Sequence, residues 1–128
     1  MIIDVPISLG ELLDKISILH IKHKNINDDE KKKLVKIELE LLEKKLDLSD
    51  LDKKLIDKYI VRLTEINSKL WKIEDSLRDH ERNKTFDKEF IELARSVYFT
   101  NDERSKVKLE INTTFGSKIV EVKSYEKY

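Results

Sequence analysis

The sequence predicts an all-α protein, an antiparallel helical bundle with a long hairpin between its third and fourth helices. Two observations lead to this fold class. The 128 residues include only two glycines and one proline, too few for the turns of an all-β protein. Apolar residues recur at steps of three and four in successive segments, which is typical of amphipathic helices. At this length and without cysteine, we expect residues 1–128 to form a single helical domain with no disulfide framework.

The first helix is predicted to begin just after the only proline, Pro6. Residues 2–5 are predicted to be extended, because proline disfavours helix at the residue that precedes it. Ser8 then supplies the helix cap, and Glu11 completes a capping box. The apolar residues that follow cover a wide arc, which indicates a helix with neighbours on several sides.

A second helix is expected from about Glu30 to Asp47, after a turn-forming cluster at residues 25–29. Its lysine-rich face is predicted to be solvated and to carry ion pairs between residues four apart. The opposite stripe is predicted to face inward and comprises Leu34, Ile37, Leu41 and Leu48.

The third and fourth helices have the longest patterns. From Asp50 to Asn83, apolar residues form a heptad seam that would extend ~50 Å. A fourth helix is expected from Lys88 to Thr114, with Gly116 as its left-handed cap. The remaining residues, 117–125, are predicted to form a short extended segment that pairs with residues 2–5. The seam residues of the third helix are Ile56, Tyr59, Leu63, Ile66, Leu70, Ile73 and Leu77.

The unequal helix lengths predict an oligomer. The first two helices are about 28 Å long, which is too short to cover the third and fourth helices along their full length. The uncovered apolar seam must contact something, and a second copy of the chain is the simplest partner. We therefore expect a homodimer built along the long hairpin.

Charge and composition exclude several classes of function. The 26 basic and 26 acidic residues give zero net charge, which disfavours a general nucleic-acid binder. No apolar run approaches the ~20 residues of a membrane span, and the first residues lack the basic start of a secretory signal. A cytoplasmic protein that needs no cofactor is expected, since neither a phosphate-binding glycine loop nor a nucleophile motif is present.

The fourth helix carries polar residues where its pattern requires apolar ones. Phe90, Ala94 and Val97 set a seam that Ile111 and Phe115 resume. Between them, the same stripe carries an amide, a guanidinium and an ammonium group. Because burial of an unpaired charge costs several kcal/mol, these groups must pair, reach water or bind an anion. The three residues are Asn101, Arg104 and Lys108.

Two interpretations of this polar stripe remain open. In the first, ion pairs between Glu74 and Arg78, and between Arg104 and Asp102 or Glu103, fix the register of the helices. In the second, a pocket between the long helices receives carboxylate or phosphate oxygens, for which arginine has a suitable planar geometry. The candidate ligand-binding residues are Glu74, Arg78, Arg95, Tyr98, Asn101, Arg104 and Lys108.

Histidine and tryptophan residues are expected to be structural. His20 and His23 lie three apart on one helix, but no third ligand has a spacing typical of a metal site. We therefore predict a packed pair and no metal. His80 is placed to interact with the carboxyl end of the third helix, and Trp71 is expected to be a packing anchor beside the seam.

Several sequence blocks resemble a family of short bacterial and phage proteins known as a domain of unknown function. The blocks are GELLDK at residues 10–15, LWKIED at 70–75, FIELARSVY at 90–98, TND at 100–102, and GS at 116–117 with EVKSY at 121–125. The resemblance covers nearly the whole chain and implies a single helical domain with no assigned activity. Its blocks include Asp14, Lys15, Trp71, Glu74, Asp75, Arg95, Tyr98, Asn101, Asp102, Lys123 and Tyr125.

These observations favour a small dimeric accessory protein that binds an anionic ligand or a partner protein. One alternative is an enzyme of the chorismate-mutase type, in which Arg78, Arg104 and Lys108 hold carboxylates and Glu74 orients the substrate. The other is a purely structural oligomerisation module, in which every polar residue of the seam pairs internally.

Overall fold

A computed structural model describes all 128 residues and contains four helices and no strand. They are α1 (Leu9–Asn25), α2 (Asp29–Asp47), α3 (Lys53–Asn83) and α4 (Lys88–Phe115). Every helix boundary that the sequence predicted lies within one turn of the observed one, and the all-α prediction is confirmed. None of the four is both long and apolar enough to cross a lipid bilayer.

Local hydrogen bonds explain why the helix boundaries are predictable. Ser8, Asp28, Asp52 and Asp87 each accept a hydrogen bond from the backbone N–H three residues further on. Such caps satisfy donors that the first helical turn leaves free. Gly116 has φ 67° and ends α4 in the left-handed conformation, as predicted.

α1 is the central helix and packs against the other three. Leu13 lies in one apolar cluster with Leu63 of α3 and Ile111 of α4, all three being 0% exposed. Ile16 lies in a second cluster with Leu39 of α2. Contact on three sides explains the wide apolar arc of the α1 sequence.

The predicted inward face of α2 is wrong. Its stripe of Leu34, Ile37, Leu41 and Leu48 is exposed, with Leu34 at 67%. The buried side is instead centred on Leu39, and its partly buried members are Val35, Leu42 and Leu46. Both stripes have helical spacing, and α1 is the only helix whose backbone approaches α2 closely, so only one stripe is covered.

The predicted pairing of the two chain ends is also absent. Residues 1–8 and 117–128 form no strand. The first segment lies near the end of α2, where Asp4 is 3.6 Å from Lys45. The second segment, here called the tail (residues 117–128), contacts α4, where Glu121 pairs with Lys108. The two ends therefore find charged partners on different helices rather than each other.

The long hairpin extends beyond α1. α3 has 31 residues and α1 has 17, which correspond to about 46 Å and about 26 Å of helix. No residue is buried on α3 after Ile73 or on α4 before Thr100. We call this part, residues 74–99, the distal hairpin.

Candidate functional site

A buried carboxylate on α1 forms the centre of the polar network. Asp14 is 1% exposed and accepts two hydrogen bonds from the guanidinium of Arg104, one of them from Nε at 2.9 Å. Asn67 of α3 donates to the same carboxylate at 2.9 Å. The predicted partners of Arg104 on its own helix, Asp102 and Glu103, are therefore wrong. Arg104 pairs across the helix interface, and this bond with Asp14 raises its pKa above the ordinary value.

The surrounding polar groups complete the network. Asn67 Nδ2 also lies 2.8 Å from Ser17 Oγ, which donates to the backbone carbonyl of Asp14 at 2.7 Å. No buried side-chain nitrogen or oxygen lacks a hydrogen-bond partner. The polar groups thus link α1, α3 and α4 at one level, which fixes their register.

Lys108 supplies a second positive charge, which is more deeply buried than that of Arg104. Its side chain is 8% exposed, and its Nζ lies 2.8 Å from Glu11 and 2.6 Å from Glu121. The Asp14 carboxylate is 4.0 Å away. Burial lowers the pKa of Lys108, but the hydrogen bonds to Glu11 and Glu121 outweigh that effect and raise the pKa overall. The ammonium group therefore remains charged at neutral pH.

The carboxylate of Glu121 lies between two lysines. Its oxygens are 2.6 Å from Lys108 and 2.6 Å from Lys123. The hydrogen bond with Lys108, and then that with Lys123, lowers the pKa of Glu121 to about 2. The tail thus presents an ionised carboxylate to α4.

A glycine lets α1 approach α4 closely enough to form these contacts. A Cβ atom on Gly10 would lie 2.7 Å from the backbone oxygen of Lys108, so a larger residue does not fit. The Gly10 N–H donates to Asn112 Oδ1 at 2.7 Å, and the Leu9 N–H donates to Ser117 Oγ at 3.4 Å. The amino end of α1 is thereby held against the carboxyl end of α4.

These charged groups line an open cavity of about 400 Å³, here called the polar cavity. Lys108 is the most deeply buried of its cationic lining residues. Three cations and three carboxylates line it, so the formal charges balance. The charged groups are those of Arg104, Lys108, Lys123, Glu11, Asp102 and Glu121, and the other lining residues are Asn101, Ser105 and Tyr125.

An aromatic cavity of about 780 Å³ adjoins the polar cavity. The two share three lining residues, Asn101, Asp102 and Tyr125. In the aromatic cavity, the Tyr128 ring packs edge-on against Tyr98, with a centroid distance of 5.3 Å. Its hydroxyl donates to Asp102, and this hydrogen bond raises the pKa of Tyr128 to about 12.

The seven predicted ligand-binding residues do not all lie in one cavity. Arg104, Lys108 and Asn101 line the polar cavity, whereas Tyr98 lines the aromatic one. Glu74 and Arg78 form the predicted ion pair at 3.8 Å and line a separate cavity of about 550 Å³ that Arg104 also borders. Arg95 is exposed and 3.6 Å from Glu92 on its own helix.

Several site residues were missed by the site prediction. Gly10, Asp14 and Ser17 recur at helical spacing and are all buried, on the α1 face that meets α3 and α4. A stripe of small and polar residues on an otherwise apolar helix was the available signal. No local signal identifies the partners of Asn67, which are 53 and 50 residues away in the chain, or shows that Glu121 pairs with Lys108 of α4.

The histidines lie outside this network. His20 is half exposed and its Nε2 is 3.1 Å from Glu43 on α2. His80 is largely covered, and its Nδ1 is 2.8 Å from the Thr85 carbonyl just past the end of α3. No three histidine, cysteine, aspartate or glutamate side chains come together in a group suited to a metal ion.

Comparison with known proteins gives a family and no activity. No curated protein and no solved structure matches the chain. A model of a family of unknown function, DUF6165, matches residues 3–128, in agreement with the resemblance seen in the sequence blocks. The chain belongs to this family of unknown function, DUF6165.

Proposed function

We propose that this protein is a small accessory protein that binds one anionic group on Lys108 and Lys123. The contact between Lys108 and Glu121 carries the proposal, because it pairs a carboxylate with the ammonium group of a buried lysine that lines an open cavity. The tail that supplies this carboxylate has no secondary structure. A ligand carboxylate can therefore take the place of Glu121 while the helices keep their positions.

Charge balance in the polar cavity favours a ligand that displaces the Glu121 carboxylate over one that binds beside it. Glu11 and Asp14 are carried by α1, which the core holds in place, so neither leaves the site without unfolding the helix contacts. Replacing Glu121 with a ligand carboxylate keeps the net charge of the polar cavity unchanged. A dianion in place of Glu121 adds one negative charge beside the lining carboxylates Glu11 and Asp102, so a monoanion is the preferred ligand.

A titration tests the anion site. We expect acetate to bind saturably to the wild-type protein, as followed by backbone amide NMR shifts around α4 and the tail. Lys108→Met should abolish the response, whereas Lys106→Met removes an exposed lysine of the same helix and should leave it intact. Circular dichroism checks that both variants are folded. Equal responses in the two variants, or none in the wild type, would overturn the proposal.

We also propose that two copies associate through the distal hairpin. Only 19 of the 128 residues are buried in one chain, and Phe86 and Ile91 of this part are about half exposed. Its charges occur in neighbouring pairs of opposite sign, such as Asp79 with Arg82 and Glu92 with Arg95, so its surface carries no large block of like charge that would repel a second copy.

Light scattering measures this association. The wild-type protein should have twice the mass of one chain, and Ile91→Asp should be monomeric. Leu34→Asp places the same charge on the exposed stripe of α2 and should leave the dimer intact. A wild-type monomer at every concentration would overturn the dimer.

One alternative retains specific support. The complete pairing of buried polar atoms favours a purely structural role for the network. In that case Lys108→Met lowers stability, and no anion changes the NMR spectrum of the wild type. The enzyme of chorismate-mutase type gains no such support, because Arg78 and Lys108 line different cavities.

A further inference from the structure

We infer that the ligand of this site is an aromatic carboxylate whose ring takes the place of the Tyr128 ring and whose carboxylate takes the place of Glu121. The inference rests on the proposed function and specifies its ligand class. It follows from the position of the two adjoining cavities, because the tail lines one of them with the Glu121 carboxylate and the other with the Tyr128 ring.

The aromatic cavity is suited to a planar ring. The Tyr128 ring lies edge-on to Tyr98 at 5.3 Å and to Phe99 at 4.9 Å, distances typical of favourable aromatic pairs. Ala94 and Val97 add apolar walls. Tyr128 is itself 73% exposed, so the tail places its ring against Tyr98 and Phe99 without burying it, and a free ligand ring can compete for the same surface.

The polar groups between the cavities define the rest of the ligand. Asp102 lines both cavities and accepts the Tyr128 hydroxyl, so it selects a ring that carries an O–H or N–H donor. Asp102 and Lys108 are six residues apart on α4, which corresponds to roughly 9 Å of helix rise. A phenol ring joined to a carboxylate by a short chain can span this distance, because the flexible lysine side chains can extend towards the carboxylate.

A set of four probes separates the features of such a ligand. The complete probe is 3-(4-hydroxyphenyl)propionate. Phenylpropionate lacks the hydroxyl, acetate lacks the ring, and tyramine replaces the carboxylate with an amine. Binding is measured by calorimetry on the full chain. We expect the wild type to bind the complete probe at least tenfold more tightly than acetate, with phenylpropionate intermediate and tyramine not bound.

Variants of the tail test the competition directly. The double variant Glu121→Ala, Tyr128→Ala should bind the complete probe at least tenfold more tightly than the wild type, because both competing groups are gone. Glu103→Ala, which removes an exposed carboxylate of α4 outside both cavities, should change nothing. Tyr98→Leu should lower affinity for the two ring-bearing acids and leave that for acetate unchanged.

The outcomes distinguish this inference from the proposed function. If acetate binds as tightly as the complete probe in the double variant, the aromatic ligand class is overturned and the anion site stands. If acetate and the complete probe bind neither the wild type nor the double variant, both are overturned. Tight binding of tyramine would also contradict the inference, because it would show recognition without the carboxylate.

Discussion

The ion pair between Asp14 and Arg104 offers the most direct test of the polar network. Asp14→Asn keeps the size of the side chain and removes its charge, and Arg104→Met removes the guanidinium group. Together with the double variant, these form a thermodynamic cycle that isolates the pair energy. Glu74→Gln and Arg78→Gln make a matched cycle on an ion pair of α3 that is far more exposed.

The structure sets the expected magnitudes. Removing one partner from a fully buried ion pair costs about 3–5 kcal/mol. Asp14 is 1% exposed but the Arg104 side chain is 28% exposed and can reach water, so we expect Asp14→Asn to cost about 2–4 kcal/mol. The coupling energy should be about 1.5–3 kcal/mol. For Glu74 and Arg78, whose side chains are 51% and 76% exposed, it should be below about 0.5 kcal/mol.

Urea unfolding provides the assay. Circular dichroism reports on the helices, and the fluorescence of Trp71, the only tryptophan, reports on α3. Coincident transitions, measured for all variants at one protein concentration because the chain is proposed to dimerise, justify a two-state treatment, from which the four free energies of each cycle follow. Equal coupling in the two cycles would refute the reasoning, because it would mean that burial of Asp14 adds nothing to the pair.

Three further predictions concern packing and pH. Gly10→Ala should lower the free energy of unfolding by about 1–3 kcal/mol, because its Cβ meets the Lys108 carbonyl; urea unfolding measures this, and an unchanged midpoint would contradict the close approach. In the same assay, Leu13→Ala should lower the free energy of unfolding by about 2–5 kcal/mol, because Leu13 is fully buried, and Leu34→Ala by less than about 0.5 kcal/mol. A larger effect of Leu34→Ala would mean that the predicted inward face of α2 is buried after all. The pKa of Glu121 is lowered from 4.5 to about 2, so its ionised form stabilises the fold above pH 4.5, and this contribution is lost as the pH falls towards 2. With allowance for solvent screening it amounts to about 1–2 kcal/mol, and Glu121→Gln should remove that part of the pH dependence of unfolding.

The boundaries of the helices are predictable from sequence because their causes are local. Each cap contacts a backbone group three residues away, and Gly116 needs only its own freedom to adopt a positive φ. The inward turn of Asn101, Arg104 and Lys108 is predictable for a similar reason, since neighbouring apolar residues of the same helix set the stripe.

The partners of those residues are not predictable in this way. Asp14 is 90 residues from Arg104 in the chain, and many carboxylates are equally plausible from composition alone. α2 has two apolar stripes, and only its packing against the rest of the bundle determines which one is buried. The tail has too little periodicity to reveal that it turns back along α4.

The stripe of small and polar residues on α1 that packs against α4 also determines which cation remains available to a ligand. Gly10 brings α1 against α4, and Asp14 then takes both hydrogen bonds that the guanidinium of Arg104 directs inward. Arg104 is thereby committed to the fold, although its residue type is the better one for binding carboxylates. Lys108 has one fixed partner within 3 Å, Glu11, and one on the tail, Glu121. Exchange of an anion therefore depends on the lysine, and loss of Arg104 should disturb stability before it disturbs binding.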